Sequence, residues 1–246
     1  MPGFTLLING AVLLSGEGGG PVSSRAEIND WMVSGNNEIM VDLFWPEAVR
    51  FVPGSTARFR LFANDTPIKD FRWPASGVSD NLGSGNYTFK ENFKADGFPR
   101  VQLERAERVI SSAGVLPRGD QNEITALAEN LRRAFTEKNI SGIDSLFRTK
   151  YTDLAMARFT SPTTLRNRAD ASYQELMNKE AYAVRPFTGR YSFFSIADGR
   201  AVRLVQGRIG FPEPALVINY RENGKAARYD LDLYFAKIDG KWVIIR

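Results

Sequence analysis

The chain has no cysteine and no histidine in 246 residues. Without cysteine there are no disulfides, no thiol nucleophile and no thiolate metal site. Without histidine it lacks the side chain that most often acts as a general base near neutral pH and most often ligates metal. Serine, cysteine and zinc-hydrolase chemistries are excluded on inventory, so any catalysis has to draw on Asp, Glu, Lys, Tyr or Arg. No metal site and no cofactor is expected. The scattered acids, Asp65 and Asp70 among them, lack loop-ligand spacing. The glycine-rich "SGEGGGPVSS" at 15–24 lacks both the Gly-Lys-Ser/Thr of a phosphate loop and the spacing of a dinucleotide fingerprint. It reads as a flexible connection between strands.

Long apolar runs are also missing: none reaches the ~18 residues that a membrane-spanning helix needs, so no membrane span is expected. The opening "MPGFTLLINGAVLL" has no Lys or Arg before its apolar stretch and carries Asn9 inside it. That makes it a poor signal peptide and a better first β-strand. The expected compartment is the cytoplasm if Met1 is the native start, and the bacterial periplasm if a leader was removed.

The isoelectric point of about 9.3 invites a nucleic-acid reading. Residues 1–114 carry 11 Lys+Arg against 13 Asp+Glu, whereas residues 115–246 carry 21 against 15. The basic excess lies in the second half, scattered among acids rather than gathered in runs; "LRNRADASYQ" and "ENLRRAF" are its densest spots. An ordinary solvated surface is expected, with no nucleic-acid partner.

What is present is the composition of a folded protein, 43% hydrophobic and 12% aromatic. Up to about residue 108 the chain runs in short alternating stretches broken by Gly, Pro, Asn and Ser. "FTLLINGAVLL", "NEIMVDLFW", "ARFRLFAND", "NYTFKENF" and "RVQLERAERVI" read as strands, and Pro46, Pro53, Pro67 and Pro74 argue against helices between them. This predicts an all-β sandwich over 1–110. "SSAGVLPRGD" predicts a linker, 111–119. From Asp120 the pattern turns helical. Asp120 and Glu123 form a capping box, followed by Ile124, Leu127, Ala128, Leu131 and Phe135 on one stripe. A second helix is predicted from Ser141 and a third from Ser161-Pro162. Beyond about 182 everything reads as strand, with two-residue turns at Asp198-Gly199, Asn223-Gly224 and Asp239-Gly240 joining a mostly antiparallel meander. The fold class expected is two domains, a β-sandwich followed by an α+β cone (120–246) of three helices on a curved sheet.

The order of elements over 118–246, with "LAENLRRAFTEKNISGIDSLF" and "YFAKIDGKWVII", resembles the nuclear transport factor 2-like cone superfamily, which includes ketosteroid isomerase and polyketide cyclases. The resemblance implies the fold and is nearly silent on function, because this fold hosts unrelated activities. By the same analogy a homodimer through the cone sheet is expected. "INDWMVSGNNEIMVDLF" resembles the strand entry of jelly-roll, galactose-binding-like accessory domains, which implies a sandwich and, remotely, carbohydrate binding. Trp45 and Trp73, each before a proline, are the residues that would stack on a sugar ring; the plainer expectation is a core edge.

The last hairpins set a register in which Asn219 pairs Arg228, Val217 pairs Asp230, Ala236 pairs Val243 and Tyr234 pairs Ile245. Partners share a face. One face carries Leu216, Ile218, Tyr220, Tyr229, Leu231, Leu233, Phe235, Trp242 and Ile244, and is predicted to be core. The other carries Val217, Asn219, Arg228, Asp230, Asp232, Tyr234, Ala236, Val243 and Ile245, polar at one end and apolar at the other. Asn219, Arg228, Asp230, Asp232 and Tyr234 are the candidate ligand-binding residues, and Asp230, Asp232 and Tyr234 are weak catalytic candidates. In the reactive reading an aspartate is a proton-transfer base with Tyr234 as donor. In the plainer reading the aspartates pair with Arg228 at the surface and the apolar end packs on a neighbouring element or subunit. The function expected is a bacterial binding or interaction protein without catalysis, holding a small apolar ligand or a protein in the cone or at the domain junction. A cone-fold isomerase or cyclase using Asp and Tyr, and a carbohydrate-binding accessory protein, are the alternatives.

Overall fold

In a computed structural model the described residues are 3–17, 28–45, 57–63, 66–73, 85–95, 105–110, 115–187, 191–197, 199–207 and 213–246. The opening stretch is a hairpin rather than the single strand expected. β1 (Gly3–Ile8) turns at Asn9-Gly10 into β2 (Ala11–Glu17), with Ile8 paired to Ala11. Asn9 and Gly10 have φ of 50° and 82°, the double left-handed turn that Asn-Gly favours. β3 (Gly35–Trp45) pairs β1 on one side and β6 (Gly85–Ala95) on the other, giving the order β2-β1-β3-β6. β4 (Ala57–Ala63) and β5 (Thr66–Trp73) form a separate ribbon. Phe59 and Leu61 of the ribbon pack into one cluster with Ile39, Phe89 and Phe93 of the sheet. These two layers are the expected sandwich. The side chains of Trp45 and Trp73, and residues 18–24 of the glycine-rich connection, lie outside what is described.

Part of the predicted strand over 100–110 is corrected, because residues 105–110 are not a strand. They run along the second half of the chain instead, with Glu107 N donating to Lys237 O at 2.8 Å and Val109 N to Gly199 O at 3.0 Å.

Three helices follow. α1 (Arg118–Thr136) buries Ile124, Ala128, Leu131 and Phe135 on one stripe. The capping box does not form: α1 starts at Arg118 behind Pro117 without a side-chain cap. The Asp120 carboxylate instead accepts from Trp242 Nε1 at 2.8 Å and Lys237 Nζ at 2.9 Å. Two donors, one of them charged, outcompete a local amide. α2 (Ile140–Ala157) is capped by Asn139, whose side chain accepts from Gly142 N, so it begins just before the predicted Ser141. α3 (Pro162–Met177) has the expected Ser161 cap and Pro162 in its first turn.

The remaining strands are β7 (Glu180–Val184), β8 (Tyr191–Ile196), β9 (Ala201–Gln206), β10 (Glu213–Pro214), β11 (Leu216–Glu222), β12 (Lys225–Leu231), β13 (Leu233–Ile238) and β14 (Lys241–Ile244). Every pairing among them is antiparallel, but they are not a sequential meander. β12 pairs β11 and β11 pairs β7, whereas β13 pairs β9 and β14. Only Asp232 separates β12 from β13, so one bent strand passes from one neighbour to another. The turns Asn223-Gly224 and Asp239-Gly240 are two-residue turns with positive φ. The third is longer: Ile196 pairs Ala201, which leaves residues 197–200 between the strands.

The predicted core face is buried except for Tyr220 and Tyr229, which are half-buried. Leu216, Ile218, Leu231, Leu233, Phe235, Trp242 and Ile244 meet Ile124, Leu131, Phe135, Ile143, Phe147 and Tyr173 from the helices. Asp120 ties α1 to this sheet. Burial works against its charge, but the bonds from Trp242 and Lys237 outweigh burial and hold its carboxyl below the usual value. Its stabilisation is complete above the unfolded value of about 4 and is lost as pH falls through the lower folded value. Asp120→Asn is expected to lower stability at pH 7 by about 1–2 kcal/mol. Urea denaturation at pH 7 and pH 3 checks this, with the gap to wild type narrowing at the lower pH.

Candidate functional site

The mixed face of the last hairpins divides at Asp232. Beyond it, Tyr234, Ala236 and Ile245 are buried and Val243 half-buried, in one cluster with Ile8, Ala11, Trp31 and Met32 of the sandwich half. Trp31 meets Tyr234 edge-on at 4.6 Å. The Asn9-Gly10 turn rests on the β8–β9 connection, with Ala197 N donating to Asn9 O at 2.7 Å. Arg246 closes the junction: it is buried, pairs with the fully buried Asp153, donates to the Asp30 carbonyl and lies over the Trp31 ring. Arg158, just past α2, pairs with Asp30, Nε to Oδ1 at 3.0 Å. The outer face of this sheet, where a homodimer was expected, is thus covered over β13–β14 by this chain's own sandwich.

Tyr234 is 4% exposed. Burial pushes its hydroxyl up to about 12, with the Asp232 charge adding and Arg203 opposing. The hydroxyl faces the Val12 backbone without a well-formed hydrogen bond. Asp232, at the strand bend, accepts from Arg203 Nη2 at 2.9 Å. Asp230 is exposed and pairs with Arg228 beside it; Asn219 is exposed on β11, opposite Arg228. The five candidates therefore share a face but not a pocket: four are solvated or ion-paired, and the fifth is under Trp31.

The arrangement with most chemical content is elsewhere, between α2 and α3, and sequence reasoning missed it. A cleft of about 240 Å³ is lined by Ser141, Asp144, Ser145, Arg148, Tyr151 and Thr152 of α2, with Pro162, Thr163 and Arg166 of α3. The α2 residues recur at helical spacing, so they form one polar stripe. Asp170 of α3 stands close to Asp144. Each has a buried Oδ1 without a hydrogen-bond partner. Burial, then the Asp170 hydrogen bond and charge, push the Asp144 carboxyl up to about 6, against Arg166. Tyr151 is 4% exposed, and its hydroxyl has no hydrogen-bond partner. Burial and the two aspartates push that hydroxyl well above the ordinary range. Arg148 of α2 and Arg166 of α3 are exposed and line the same cleft. Three converging acid and phenol groups beside two guanidiniums can exchange protons or hold a small polar molecule. The available signal was the stripe itself, polar residues at 141, 144, 145, 148, 151 and 152 on a helix whose other face is core.

No family model and no curated protein matches the chain. Among solved structures it is similar to one described as an Ntf2 like protein involved in plasmid conjugation, at 8% identity and a TM-score of 0.30, over 87% of this chain and 71% of that one. A likeness at that score carries no argument. The α+β class follows from the helices, strands and registers themselves. No helix among the described residues is long and apolar enough to cross a membrane.

Two outcomes are expected. Tyr234→Phe removes a buried hydroxyl without a good partner, so stability should stay within about 0.5 kcal/mol of wild type or rise; chemical denaturation checks it. Asp144 favours its protonated form in the folded state, so its stabilisation is present below the unfolded value and lost as pH rises through about 6. The melting temperature should fall between about pH 4 and that point, and Asp144→Asn should flatten the slope.

Proposed function

We propose that this chain is a non-catalytic binding module whose ligand is a small polar molecule held in the α2–α3 cleft. Residues 1–110 and 120–246 are taken as its two domains, joined by 111–119. The observation that carries the reading is the Tyr151 hydroxyl, buried and unpartnered in a cleft of otherwise polar groups. The cone interior and the junction are less suited to a ligand, because Phe135, Phe147 and Tyr173 pack the first and Trp31 and Tyr234 meet in the second. A protein partner seated there would have to displace this packing.

A second reading is supported by Asp144, whose carboxyl burial pushes up to about 6: a proton-transfer enzyme of isomerase or cyclase type, with Asp144 as base in place of Asp230 or Asp232. Its cleft is open-sided and polar, which weakens it, since a carbon-acid base works best where water is excluded. Sugar binding by the sandwich rests on Trp45 and Trp73, whose side chains are not described.

A polar fragment library screened by ligand-observed NMR tests the proposal. Saturable binding is expected to disappear in Ser145→Trp, which fills the cleft from an exposed position, and to persist in Asp230→Asn and Asp232→Asn. Binding that survives Ser145→Trp would overturn the cleft reading. Product formation from any binder, lost in Asp144→Asn, would replace it with the enzymatic one.

A further inference from the structure

Resting on the cleft reading above, we infer that the α2–α3 cleft recognises a small zwitterion of the free α-amino-acid type, its ammonium on Asp144 and Tyr151 with Asp170 behind them, and its carboxylate on Arg148 and Arg166. Size comes first. About 240 Å³ lies below the roughly 300–1,000 Å³ of pockets for drug-sized ligands, which restricts the occupant to a molecule of few heavy atoms.

Charge comes second. Asp144 Oδ1, Asp170 Oδ1 and the Tyr151 hydroxyl are buried near one another, and none has a hydrogen-bond partner. Beside two carboxylates the donor that answers them best is a cation. A divalent metal fits poorly, because such ions take about six or more oxygen ligands and no group of three or more acidic or histidine side chains stands together among the described residues. An ammonium fits better. It presents N–H donors to the carboxylate and phenol oxygens that lack them.

The arginines decide the rest. Arg148 and Arg166 line the same cleft, and neither holds an ion pair with another described residue. Two guanidiniums repel a ligand that is only a cation, and their planar donors suit a carboxylate. With the pair ionised, two acids and two arginines cancel, and a net-neutral zwitterion answers both ends.

The groups facing the pair from the packed elements are Arg148 and Tyr151 on α2, Arg166 on α3 and Tyr229 on β12. An ammonium favours the ionised Asp144 carboxylate, so affinity should rise with pH up to about 6 and level off above it.

The test uses the full chain labelled with ¹⁵N, titrated with the twenty amino acids one at a time to 10 mM at pH 7.5 and pH 5, and with a neutral polyol series. The expected result is that at least one amino acid shifts the amides of 141–152 and 162–170. Its decarboxylated amine and its deaminated acid should bind at least tenfold more weakly. Affinity should fall about tenfold at pH 5, and Asp144→Asn should abolish that pH effect. Arg166→Gln, an exposed change that leaves the core untouched, should weaken binding of the amino acid but not of the plain amine. The inference is overturned if no amino acid shifts these amides, or if the amine alone binds as well as its amino acid. Polyols that shift the same amides while amino acids do not would overturn the ligand class and leave the cleft reading standing. No shift from either class, with wild-type spectra intact, would count against both.

Discussion

The β13–β14 hairpin is apolar on both faces, and much of the architecture answers that constraint. Phe235, Trp242 and Ile244 point at the helices, while Tyr234, Ala236 and Ile245 point the other way. Each large apolar side chain contributes about 1.5–3 kcal/mol when buried, so neither face can be left to water. The helices cover one. The sandwich covers the other, with Trp31 against Tyr234 and the Asn9-Gly10 turn on the β8–β9 connection. The two halves therefore share a core rather than meeting across a wet surface.

That shared core explains where charge is buried. Arg246 and Asp153 sit deep at the junction, where an unpaired ion would cost several kcal/mol. The pair is held by a third contact to the Asp30 carbonyl and by the Trp31 ring, while Arg158 secures Asp30 from outside. Such a cluster orients two apolar surfaces more than it adds net stability. It also draws these acids and bases into structural work. The acid chemistry left over is at the opposite side of α2, where Asp144, Tyr151 and Asp170 have no such partners.

The strand that bends at Asp232 links the two regions. Before the bend, β12 lies on β11 and carries Tyr229 toward the helix layer; after it, β13 lies on β9 and carries Tyr234 toward the sandwich. Side chains alternate along a strand, so Asp230, Asp232 and Tyr234 do lie on one side. The change of neighbours gives them different surroundings. Asp230 meets Arg228, Asp232 meets Arg203 from β9, and Tyr234 meets Trp31.

The registers of the last two hairpins were legible by themselves, because Asn-Gly and Asp-Gly turns with alternating flanks leave little choice of pairing. So were the three helices, since their apolar stripes and the Ser161-Pro162 start are local signals. Asn9-Gly10 is an equally local signal, but the apolar residues on both sides of it read as one continuous strand. Asp120 was not legible: a capping box and a tertiary acceptor look identical until Trp242, 122 residues away, comes near. The same holds for Asp144 and Asp170, on different helices with no spacing rule between them. Sequence determined which face of each element had to be buried, because that depends on periods of 2 and 3.6 residues. Only the tertiary structure decided which polar groups would be paired and which left over, because partners for charge come from anywhere in the chain.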